Sequence, residues 1–140
     1  EVALAMAGGA PLNAVKDITG LTLDAKASAT LRDLLARGRS LTPDSIVRGY
    51  SASMGIPAVA LHLSRWCYDL LRVKSGADPH FFIREKDVLE KIAADAPMKN
   101  LLSLNAAVAE MRRSAEHPLA PRQVWEGVLL VYVRALGGQV

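Results

Sequence analysis

Apolar residues recur along much of this chain at intervals of three and four, the period of a helix with one buried face. Val59, Leu63, Trp66, Leu70 and Val73 keep that spacing and predict a long helix from Pro57 to Lys74. Leu101, Leu104, Val108 and Met111 predict a second over about 98–115. Trp125, Val128, Leu129, Tyr132 and Leu136 predict a third that starts at Pro121. Val128 to Val133 taken alone could pass for a strand, but it lies inside the longer helical period.

Punctuation residues divide the rest. Gly8-Gly9 ends an apolar run at 1–7, and Pro11 suits the first turn of a short helix reaching about Ile18. Thr22 or Asp24 offers a cap for a helix that runs to about Arg37 and stops at Gly38. Thr42-Pro43 pairs a cap with a first-turn proline and predicts a helix to about Met54. Gly76-Ala77-Asp78-Pro79 reads as a loop, followed by a charged helix at 84–95 that ends before Pro97. His117-Pro118 closes the 98–115 helix, because the residue before proline avoids helical geometry. The fold class expected is therefore all-α, a bundle of five to six helices with a short N-terminal piece.

Composition agrees. The 140 residues are 51% hydrophobic and 22% charged, which suits a packed domain rather than a disordered tail. Ala and Leu are abundant and aromatics make up only 5%, a balance that favours helix. The net charge of +3 permits an anionic partner without requiring one. Cys67 is the single cysteine, so no internal disulfide is possible, and a reducing, cytoplasmic setting is expected. No run of apolar residues is long enough for a membrane span, and Glu1 to Ala7 lacks the basic start of a signal peptide. It reads as the middle of a helix, and the chain as a piece of a longer protein.

Candidate chemistry is sparse. Gly8-Gly9-Ala10-Pro11 is not followed by the Lys-Ser/Thr of a phosphate-binding loop. His62 and Cys67 stand five apart on one helix, roughly 140° round its axis, and so do not share a face for a metal. Glu85, Asp87 and Glu90 alternate with Arg84, Lys86 and Lys91, the pattern of a solvated face. Arg32, Arg37, Arg39 and Arg48, then Arg112 and Arg113, are dispersed and have no aromatics interleaved between them, so no stacking surface for nucleic acid is expected. No catalytic, cofactor-binding or metal residues are assigned. The candidates that remain are large side chains for core or interface: Leu63, Trp66, Leu70, Val108, Met111, Trp125, Leu129 and Tyr132.

Three segments, taken in order, resemble the delta prime subunits of the bacterial DNA polymerase III clamp loader. Leu4-Ala5-Met6-Ala7-Gly8-Gly9-Ala10-Pro11-Leu12 is similar to the end of that family's lid domain. Leu63 to Arg72, followed by Lys74-Ser75-Gly76-Ala77, is similar to its long collar helix. His117-Pro118-Leu119-Ala120-Pro121-Arg122, with Glu126 to Leu130, is similar to its last helix. The chain departs from the family at Ala120, where asparagine is common. The sensor arginine of the ATP-hydrolysing relatives is missing from Ala10-Pro11-Leu12-Asn13-Ala14, as it is in delta prime.

The resemblance implies a lid remnant at 1–20 and a helical collar domain at 21–140. It also implies a non-catalytic role in DNA replication, joining the gamma/tau and delta subunits in the pentamer that loads the sliding clamp. DNA would be met only indirectly, through the full complex. The residues alone leave two other classes open. One is a nucleic-acid-binding helical domain, suggested by the basic surplus. The other is a small hydrolase using Asp69 or Glu126.

Overall fold

The structure is a computed structural model that describes residues 25–51, 55–114 and 120–137. Among these residues there are six α-helices and no strand. They are α1 (Ala25–Ala36), α2 (Pro43–Gly49), α3 (Ile56–Lys74), α4 (Lys86–Asp95), α5 (Met98–Ser114) and α6 (Pro121–Ala135). Short 3-10 turns occupy Gly38–Ser40 and Ile83–Glu85. The all-α expectation holds. The helical pieces predicted at 1–7 and 11–18, and the lid remnant at 1–20, lie outside the described residues.

The central element is α3. Pro57 stands in its first turn, where a missing N–H costs nothing. Its far end closes with two backbone bonds, Ala77 N–H to Arg72 O at 2.9 Å and Gly76 N–H to Val73 O at 3.1 Å. This closure needs a left-handed residue, and Gly76 supplies it at φ 93°. Val59, Leu63, Trp66 and Leu70 are fully buried, and α3 packs chiefly on α5 and α4. On α5, Leu101, Leu104 and Val108 point into the same core, with Met111 packed against its edge. On α6, Trp125, Leu129 and Tyr132 are fully buried.

Polar atoms inside the core fix how the helices meet. Trp66 Nε1 donates to the Tyr132 hydroxyl at 2.9 Å, and that hydroxyl donates to Leu35 O at 2.7 Å. One chain of bonds thus ties α3, α6 and α1. Trp125 Nε1 donates to Ile46 O at 2.7 Å, which pins α6 to α2. Each bond satisfies a group whose burial alone would cost about 1–3 kcal/mol.

The helix expected from Pro43 to about Met54 ends at Gly49 instead. Its start is as read: Thr42 Oγ1 accepts from Ser45 N–H at 3.2 Å. Its end is set by Tyr50, which takes extended geometry (ψ 141°). The Tyr50 ring meets Trp125 edge-on at 6.0 Å, and the Arg122 guanidinium lies 4.8 Å from the Tyr50 ring centroid. Those contacts with a distant helix draw Tyr50 out of the helical path, and no local signal encodes them.

Candidate functional site

All eight large side chains chosen from the sequence belong to the core or its margin. Seven are fully buried, and Met111 is half-buried. The large apolar residues left at the surface are different ones: Met98 and Leu102 on α5, Val131 on α6, and singly Val47 on α2, Tyr68 on α3 and Ile83 just before α4.

Helix α5 is apolar on two sides. Beside its buried stripe runs a second, Met98, Leu102, Ala106 and Ala109, at intervals of four, four and three, facing solvent throughout. Leu102 is 55% exposed and Met98 37%. Separately, a shallow groove of about 420 Å³ runs between α5 and α6. Leu104, Ala107, Val131 and Ala135 form its apolar floor and wall, with Asn100 and Arg134 at its polar margins. Asn100 Nδ2 donates to Ala135 O at 3.1 Å and so bridges the two helices. At the pitch of an α-helix, stripe and groove lie roughly 155° apart round α5. The domain therefore presents two separate apolar surfaces.

A third surface mixes rings and cations. Tyr68 of α3 is 45% exposed and meets Phe81 edge-on at 5.9 Å. Phe81 in turn meets His80 at 4.6 Å. The Arg65 guanidinium lies 5.2 Å from the Phe81 centroid, and that of Arg72 lies 6.0 Å from the Tyr68 centroid. Arg72 Nε also donates to Asp78 O at 2.7 Å, while the Asp78 carboxylate pairs with Lys86 at 2.8 Å. That pairing lowers the Asp78 pKa and raises that of Lys86. These arginines are not the dispersed ones weighed from the sequence: Tyr68 stands between them on α3 itself, and the loop after α3 folds back to add Phe81 and His80.

Asp69 holds that loop in place. Its carboxylate is fully buried and accepts three backbone N–H groups, from His80 at 2.8 Å, Phe81 at 2.9 Å and Phe82 at 2.7 Å. Both oxygens are thus committed to the backbone, so Asp69 is closed to the hydrolytic role weighed from the sequence. The other acid weighed there, Glu126, is half-buried on α6.

Two buried titratable groups lie beside this loop and along the core. His62 meets Phe82 edge-on at 5.0 Å, and its Nε2 has no hydrogen-bond partner. Burial first, then the charges of Arg32 and Arg65, lower its pKa to about 3, so the imidazole is neutral. Cys67 is fully buried, and burial pushes its thiol pKa far up, which leaves it protonated and unreactive. Among the described residues, no three His, Cys, Asp or Glu side chains are grouped to hold a metal. No helix among them is long and apolar enough to cross a membrane. No family model, curated protein or solved structure matches the chain.

Proposed function

We propose that this chain is a non-catalytic assembly module, the collar domain of a clamp-loader delta prime subunit, working in the cytoplasm in DNA replication. In this role it joins a gamma/tau neighbour on one side and a delta neighbour on the other. The family assignment rests on the three sequence segments. The assembly role rests on one observation, the pair of separate apolar surfaces on α5 and α6.

A subunit inside a closed ring meets two neighbours through two different faces. A domain that worked alone would have little use for a continuous solvent-facing stripe such as Met98, Leu102, Ala106 and Ala109. The α5–α6 groove offers the second face, with Leu104, Ala107, Val131 and Ala135 along it to meet the side chains of a neighbouring helix. The polar ties among α1, α3 and α6 make the body that carries both faces stiff.

The test is recovery of complexes from mixtures of this chain with purified delta and gamma/tau collar domains. Co-elution with both supports the proposal. Recovery of neither, with all three components folded, overturns it.

A further inference from the structure

Arg65, Tyr68 and Arg72 fall at i, i+3 and i+7 on α3, along one face. His80 and Phe81 are laid beside them by the Asp69 carboxylate. The outcome is a surface on which two neighbouring rings, Phe81 and Tyr68, lie between two guanidinium groups, with Arg65 5.2 Å from the Phe81 centroid and Arg72 6.0 Å from the Tyr68 centroid. Lys86 adds a further cation, and Asp78 is the carboxylate that faces it.

We infer that this surface binds single-stranded nucleic acid with little sequence preference. Tyr68 offers its exposed ring to a base, and Arg65 and Arg72 neutralise phosphates on either side. Such binding needs π-faces for stacking and cations that follow the backbone. Seven residues of helix set the two arginines about 10 Å apart along the axis. That is the length of about three stacked nucleotides at ~3.4 Å each.

An acidic protein segment is the competing occupant, since Tyr and Arg are also common at protein interfaces. The apolar stripe and groove that a protein partner would cover lie on α5 and α6 instead. The chain's net charge of +3 has the sign that nucleic acid requires.

The experiment is a fluorescence-anisotropy titration of the chain against a labelled oligothymidylate of about 15 nucleotides at low salt, within the range one such site covers. Saturable binding that weakens as salt rises is expected. Tyr68→Leu, which keeps bulk and loses the ring, weakens binding about tenfold, while Tyr68→Phe retains it. Arg65→Ala and Arg72→Ala each lower the slope of log affinity against log salt by about one. Arg48→Ala removes an exposed charge on α2 and leaves binding unchanged. Circular dichroism melts matching the wild type confirm that each variant is folded.

Absence of binding overturns the inference, as does binding that Tyr68→Leu leaves intact. Displacement of the oligonucleotide by polyglutamate at equal charge concentration also overturns it, and assigns the patch to an acidic protein.

Discussion

Replacing Asp69 with alanine removes the acceptor for three backbone N–H groups at once. Phe82 is buried, so its N–H is left without a partner inside the protein, at a cost of about 2–3 kcal/mol. His80 and Phe81 lie nearer solvent, where water replaces much of the lost bonding, and each adds about 0.5–1 kcal/mol. Removing a buried carboxylate also relieves its own desolvation, which offsets part of this. A net loss of about 3 kcal/mol is expected.

With a urea slope of about 1–3 kcal/mol/M, the unfolding midpoint falls by about 1–3 M. Asp69→Asn falls between alanine and wild type. Its oxygen can keep the Phe81 and Phe82 bonds, while its amide meets the His80 N–H donor to donor. Amide hydrogen exchange supplies the local reading: Phe81 and Phe82 lose protection in the alanine variant before the rest of α3 does. A stability for Asp69→Ala within about 0.5 kcal/mol of wild type would refute the reasoning.

Three further outcomes follow from the same core. His62 has its folded pKa lowered to about 3, so below its ordinary value of 6.5 the unfolded chain takes up a proton that the folded chain refuses. Stability is therefore level above pH 6.5 and falls as pH drops toward 3, by up to about 1.4 kcal/mol per unit. His62→Leu flattens that slope, and parallel urea midpoints for the two proteins from pH 7 to 4.5 would contradict it. Tyr132→Phe strands Trp66 Nε1 and deprives Leu35 O of its hydroxyl donor, for a loss of about 2–4 kcal/mol in denaturant melts. A loss under about 0.5 kcal/mol would deny that bond chain its role. Gly49→Ala places a Cβ 2.6 Å from Leu34 Cδ1, and repacking that side chain costs about 1–2 kcal/mol; an unchanged melting temperature would refute it.

Much of the fold was legible because single helices state their own periodicity. The buried faces of α3 and α6 follow from apolar spacing alone, and the cap at Thr42 from its place before Pro43. On α5 the same rule is ambiguous. Leu101, Leu104, Val108 and Met111 form one stripe and Met98, Leu102, Ala106 and Ala109 another, and period does not say which faces in. The bulkier set fills the core, and the set with two alanines is left to solvent.

Other features depend on partners far along the chain. The carboxylate of Asp69 finds its donors 11 to 13 residues later, in a loop whose path α3 does not encode. The arginine–aromatic patch assembles only when that loop folds back. For the same reason Tyr50, held by α6, shortens α2 against the expectation from its sequence.

The most direct trial of the assembly role is sedimentation velocity on equimolar mixtures of this chain with delta and gamma/tau collar domains. Leu102→Asp puts a charge on the outer stripe of α5, and Val131→Asp puts one in the α5–α6 groove. Wild type is predicted to give a three-component species, and each variant a two-component species that has lost a different partner. If wild type and both variants sediment alike, whether all bound or all free, these two surfaces are not where the domain meets its neighbours.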